Sequence, residues 1–145
     1  MEKKIIPARL ADAVLLKNID DVSFDKIFHE DMEYYNDCFK NGNECYLLMV
    51  DNLPAGEIIL RFENEETLGL ESFAIVPQFR KHKLSKFLLE FVNERAESFK
   101  RIILEVYVNN KKAIDIYNKN GYNIIGSEKD YYAPGYDAYI MEKKL

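Results

Sequence analysis

The stretch between residues 73 and 108 constrains the fold most. A short apolar run, Phe73, Ala74, Ile75 and Val76, ends at Pro77, and a basic turn with Arg80, Lys81, His82 and Lys83 follows. Leu84, Phe87, Leu88, Phe91, Val92 and Phe99 then recur at helical spacing. Residues 101–108 alternate: Ile102, Leu104, Val106 and Val108 lie on one face, Ile103, Glu105 and Tyr107 on the other. Strand, helix, strand in this order predicts two parallel neighbours joined by a crossover, and so a sheet with a helix laid against it. The turn enters the helix at its N-terminus, where free N–H groups and a partial positive charge suit a phosphate. A basic surface turn between two core elements is the other reading, and this stretch alone leaves both open.

The rest of the chain surrounds this unit. Residues 4–7 read as a first strand and 11–18 as a helix. Asp21, Val22 and Ser23 offer caps for a second helix over 24–39, which Asn41, Gly42 and Asn43 stop. Strands over 45–50 and 55–61 form a hairpin about Asp51, Asn52, Leu53 and Pro54. In the next strand, 67–76, Leu68 and Leu70 share one phase of the alternation while Phe73 and Ile75 share the other. A period that slips by one residue predicts a β-bulge, which opens room beside the strand; burial on both faces is the simpler alternative. A helix over 111–120, with Asn110 as N-cap and Gly121 as its stop, precedes strands over 122–129 and 137–142. The order β α α β β β α β α β β is that of a mixed α/β domain with a central sheet of about seven strands.

At 145 residues the chain is read as a single domain, 1–145. A net charge of −5 argues against nucleic acid or an anionic membrane as main partner and suits a cationic substrate. Cys38 and Cys45 make no disulfide framework, and with only His29 and His82 besides, no metal site is expected. The first residues carry no apolar signal core, and no run of about 18 apolar residues occurs, so the expected location is cytoplasmic.

Three features converge as candidate chemistry: the phosphate-ready turn, Glu105 interrupting an apolar strand, and Tyr117 on a helix face with Ala113 and Ile114. A carboxylate and a phenol lining one cleft can act as base and acid. Taken singly, each also has a structural reading: Glu105 a solvated strand residue, Tyr117 a core tyrosine, Asn110 only a helix cap.

The pairing of A-I-V-P-Q-F-R-K-H-K-L-S-K-F-L-L with L-E-V-Y-V-N-N-K-K-A-I-D-I-Y-N-K-N-G-Y resembles the GNAT superfamily of acyl-CoA-dependent N-acetyltransferases. The tail Y-Y-A-P-G-Y-D-A-Y-I-M is similar to its ribosomal-protein-alanine N-acetyltransferase branch. The resemblance implies helices on both faces of the sheet and a splayed central strand pair, with acetyl-CoA as co-substrate. Phe73, Ala74 and Ile75 would offer backbone to the pantetheine arm. Arg80, Lys81, His82, Lys83, Leu84, Ser85 and Lys86 would wrap the pyrophosphate, and Asn110 would contact the arm. Glu105 would be the general base, Tyr117 the acid that protonates the leaving thiolate, and Tyr131 and Tyr132 would face the acceptor.

The expected reaction is direct acetyl transfer to a primary amine in a ternary complex, the acceptor being a peptide or protein N-terminus or a small amine. One departure stands out: Lys83 replaces the loop's first glycine, and Ser85 its second small residue. If position 83 needs a positive φ, lysine there costs about 1–2 kcal/mol. The departure points toward weakened cofactor binding, and it also supports an alternative, a GNAT-fold binding or regulatory module without catalysis. Tyr131, Tyr132 and Tyr136 suit an acceptor groove or a homodimer contact equally.

Overall fold

The computed structural model describes the whole chain, Met1–Leu145. Strands β1 (Lys3–Pro7), β2 (Glu44–Val50), β3 (Leu53–Phe62), β4 (Thr67–Ile75), β5 (Arg101–Tyr107), β6 (Asn123–Ala133) and β7 (Tyr136–Lys144) form one sheet in the order β1-β2-β3-β4-β5-β7-β6. Helices α1 (Ala13–Ser23), α2 (Met32–Asp37), α3 (Leu84–Arg95) and α4 (Lys111–Lys119) cover it. Only β4 and β5 pair in parallel, as the crossover through α3 requires; the other five pairs are antiparallel. The expected mixed α/β sheet is therefore the observed one.

Alternation along the strands divides the core between the two faces. Ile58 and Leu60 of β3, Leu68 and Leu70 of β4, and Ile102, Leu104 and Val106 of β5 pack against Leu84, Leu88, Leu89 and Val92 of α3 and Tyr117 of α4. On the opposite face Cys45, Leu47, Ile59 and Ala74 meet Ala13, Leu16 and Ile19 of α1 and Tyr35 of α2. The β2–β3 turn, Asp51-Asn52, has positive φ at both residues, the conformation whose twist matches a two-residue hairpin.

The second helix differs from the expectation. Residues 24–39 are not one helix: Phe24 is extended, Lys26–Phe28 forms a single 3-10 turn, and α2 starts only after Asp31. Tertiary contacts outweigh the periodicity. Phe28 turns toward Tyr107, Tyr132 and Tyr136 with ring centroids 5.3, 5.0 and 6.0 Å away. The His29 ring nitrogen Nε2 bonds the Phe24 carbonyl at 2.8 Å, and Asp31 caps α2 by accepting from the Tyr34 N–H at 3.0 Å. Asp21, Val22 and Ser23 accordingly cap no second helix but form the last turn of α1, where the Ser23 hydroxyl donates to the Ile19 carbonyl. The third helix also ends earlier than the apolar spacing suggests, at Arg95, leaving Phe99 to pack on Phe62 from a turn.

Candidate active site

The site begins as a break in the sheet. β4 pairs with β5 only over Thr67–Leu70, opposite Arg101–Leu104. On its other edge the β3 register jumps: Ile59 opposes Ser72 and Leu60 opposes Leu70, so Glu71 is the extra residue of a bulge. The phase slip expected from the sequence is this bulge, and it has the expected consequence: Leu68 and Leu70 before it and Phe73 and Ile75 after it all pack on the α3/α4 side. Beyond Leu70 the β4 edge toward β5 has no strand partner, so its backbone groups face a gap. The far end of the splayed segment is held by β3, where Gly56 leaves room for the Ala74 carbonyl; a Cβ at Gly56 would sit 2.3 Å from that oxygen.

A cavity of about 730 Å³ opens at the gap. Because the sheet is split there, side chains from both faces reach it. Glu105, out of phase with Leu104 and Val106, comes from the α1/α2 side, and Tyr117 comes from α4 on the opposite side; both line the cavity. Tyr117 rests edge-on against Phe73 and Tyr122, at 6.0 and 5.6 Å. Burial raises the pKa of the Tyr117 phenol well above its ordinary value, so it is protonated at neutral pH and available as a donor. Burial also raises the Glu105 carboxyl, and the positive charge of Arg61 works against that rise. A raised carboxyl is the better proton acceptor, provided it stays ionised at working pH.

Of the expected cofactor residues, Phe73, Ala74, Ile75, Arg80, Ser85 and Asn110 line the cavity. Lys83 occupies the left-handed region at φ 55°, the conformation for which glycine is favoured. It ends the 3-10 turn Pro77–His82 and starts α3, whose first turn has no side-chain cap, so the N–H groups there are free for an anion. The Leu84 side chain is buried in the core, leaving only its backbone for the turn. His82 lies 6.2 Å from the Phe79 ring, while Lys81, Lys83 and Lys86 are exposed. Arg80 has structural partners, donating to the carbonyls of Ile75 at 2.9 Å and Ser23 at 2.7 Å, which ties the end of β4 to the end of α1. Asn110 caps α4 by accepting from the Ala113 N–H at 3.2 Å. The uncapped helix start and the unpartnered strand edge together fit a long ligand with an anionic middle.

Tyr131 and Tyr132 stand over the cavity on the irregular part of β6, where its register with β7 shifts between Glu128 and Ala133 and Asp130 has a positive φ. With Phe24, Ile27 and Phe28 they form an apolar rim, in which Phe28, Tyr131 and Tyr132 are in edge-on contact. A carboxyl pair lies at the cavity wall, Asp20 lining it. Asp20 of α1 and Glu57 of β3 are both buried; Tyr35 donates to Asp20 at 2.6 Å and Ser72 to Glu57 at 2.7 Å. Each keeps one oxygen with no other partner. Burial raises both carboxyls, Asp20 to about 6 and Glu57 well above its ordinary value. Cys38 and Cys45 are free, buried under α2 and away from the cavity.

Sequence reasoning missed Arg61, Glu71, Tyr34 and the Asp20–Glu57 pair. The available signals were a carboxylate inside each of two apolar strands, Glu57 and Glu71, the second one at the phase slip itself.

Residues 14–122 match the acetyltransferase (GNAT) family. The chain is 27% identical over 139 residues to N-alpha-acetyltransferase 50 of Danio rerio, covering 90% of this chain and 81% of that protein. In fold it is similar to the ribosomal-protein-S18-alanine N-acetyltransferase from Escherichia coli, with a TM-score of 0.88 at 19% identity over 99% of this chain and 94% of that one. It is also similar to Arabidopsis thaliana Naa50 in complex with the bisubstrate analogue CoA-Ac-MVNAL, with a TM-score of 0.85 at 21% identity over 100% of both chains. No helix is long and apolar enough to cross a membrane.

Proposed function

The chain belongs to the GNAT family and is an N-acetyltransferase, and we propose that it moves the acetyl group of acetyl-CoA to the N-terminal amine of a peptide or protein. The observation that carries this reading is the split β4–β5 seam, which brings Glu105 and Tyr117 from opposite faces of the sheet into one cavity. The name of the Danio rerio relative supports an N-terminal amine as acceptor.

Acetyl-CoA supplies an activated thioester carbonyl. The free edge of β4 at Phe73, Ala74 and Ile75 would orient its arm, and the start of α3 with Lys81, Lys83 and Lys86 would hold its phosphates. Glu105, directly or through a water, takes the proton from the acceptor ammonium. An α-amine, with a pKa near 8, is unprotonated on the order of a tenth of the time at neutral pH, against far less for a lysine side chain. A modest carboxylate base therefore suffices for an N-terminus. The amine attacks the carbonyl, a backbone N–H of the splayed strand polarises the carbonyl oxygen, the C–S bond breaks as the Tyr117 hydroxyl protonates the departing sulfur, and the second proton lost by the nitrogen makes good the one Tyr117 gave up. The acceptor enters under Tyr131 and Tyr132. No cysteine nucleophile takes part.

The test is acetylation of N-terminal peptides followed by mass spectrometry and thiol release, beside polyamines and free amino acids. The reading predicts acetylation at peptide N-termini with much higher kcat/KM; the reverse preference would overturn it. Thermal unfolding with acetyl-CoA at 100 times Kd should show about 2.7 kcal/mol of stabilisation. No shift at millimolar acetyl-CoA would leave a binding module instead.

A further inference from the structure

Arg61 of β3 sits opposite Gly69 of β4. A Cβ built at Gly69 would lie 3.0 Å from Nη2 of Arg61 and 3.1 Å from its Cζ and Nε. Gly69 has no positive φ, so its backbone conformation does not call for glycine. What it supplies is the space in which the guanidinium crosses β4. From that seat Arg61 reaches three carboxylates: Nε bonds Glu63, Nη1 bonds Glu71, and Nη2 lies 3.5 Å from Oε1 of Glu105. The other oxygen of Glu71 accepts from the Tyr34 hydroxyl at 2.7 Å, which ties the bulge to α2.

Glu105 therefore has one close cation and several like charges. Arg61 faces it from β3, Glu63 from the turn just after β3, Glu71 from β4, and Glu128, Tyr131 and Tyr132 from β6; on β7 its partner is the uncharged Ile140. Without Arg61, burial and the neighbouring Glu71, Glu63 and Glu128 would all favour the protonated acid, which cannot accept a proton.

We propose that Arg61 is a positioning residue for the acetyl transfer: seated across Gly69, its guanidinium gathers the Glu71 and Glu105 carboxylates at the acceptor side of the seam and keeps Glu105 ionised. The carboxylate is held where the seam opens and stays a base at the pH at which N-terminal amines begin to lose their protons. The inference rests on the reading of Glu105 as base.

The experiment is an NMR titration of the Glu105 carboxyl carbon in the free protein, together with the pH dependence of kcat/KM. Arg61→Met is expected to raise the Glu105 midpoint by about one pH unit or more and to carry the acid limb of the rate profile with it. Arg61→Lys returns most of the shift. Gly69→Ala keeps the arginine but fills its seat, and moves the midpoint in the same direction by less, which keeps the test valid if the methionine variant folds poorly. A Glu105 midpoint unmoved in folded Arg61→Met or Gly69→Ala protein would overturn the proposal. The titration is read without turnover, so it does not depend on which residue is the base; turnover of Glu105→Gln reports on that separately.

Discussion

Between Thr67 and Leu70 the fourth strand is zipped to Arg101–Leu104, while one bulge later, over residues 71–75, the same strand faces no neighbour across the seam. The closed half is apolar and closely packed, with Leu68, Leu70, Ile102 and Leu104 buried under α3. The open half carries Glu71, Ser72 and Glu105 beside a cavity that Tyr117 enters from α4. Both halves are made from the same two strands, so neither strand propensity nor sheet position explains the contrast. The difference is a single extra residue. Glu71 ends the pairing, turns the following side chains over, and leaves backbone groups free where a sheet would otherwise consume them. The closed half fixes where the open half begins.

That division can be broken from either side. The largest effect belongs to the open half: Glu105→Gln should lower kcat/KM by about 10²–10⁴-fold, and Tyr117→Phe by an amount toward the lower end of that range. Acetyl-CoA affinity, measured by calorimetry, should stay nearly constant in both. In the closed half, Ile102→Ala should cost about 2–5 kcal/mol in denaturant unfolding and leave acetyl-CoA affinity of the folded protein unchanged. A loss of affinity there would mean the two halves are not separable.

The buried pair beside the open half gives a pH signature. The Asp20 carboxyl is raised to about 6 by burial, from an ordinary value near 3.8. A raised acid contributes stability that is full below about pH 4 and is lost as pH rises through about 6, here up to about 3 kcal/mol. Glu57 is raised as well and extends the loss to higher pH. Asp20→Asn should flatten the stability profile between pH 4 and 6; an unchanged slope would place the titrating group elsewhere. The smallest effect concerns the turn. Lys83→Gly relieves a left-handed lysine, worth about 1–2 kcal/mol, but frees the unfolded chain by about 0.4–1 kcal/mol. A net gain of about 0.5–1 kcal/mol is expected by thermal unfolding, with acetyl-CoA affinity within a few-fold.

Much of the frame was legible in the sequence because it depends on local pattern. The capped α4 and the phase slip before Phe73 are each written within a dozen residues, the hairpin and the crossover in consecutive segments of one stretch, and the slip located the open half. Glu105 and Tyr117 stood out for a related reason, as polar groups on otherwise apolar faces. What could not be read depends on register and tertiary packing. Residues 24–39 have helical periodicity, yet Phe28 is drawn out to the aromatic cluster of Tyr107, Tyr132 and Tyr136. The Arg61–Glu105 contact spans 44 residues and two strand registers, and Gly69 looks like any strand glycine until Arg61 is seen lying across it.

The most direct measurement is amide hydrogen exchange with and without acetyl-CoA. New protection is expected at residues 71–75 and at the first turn of α3, with no change over Thr67–Leu70 or Arg101–Leu104, whose amides are already paired or buried. Protection that spread evenly along β4, or that appeared only away from the seam, would contradict that expectation.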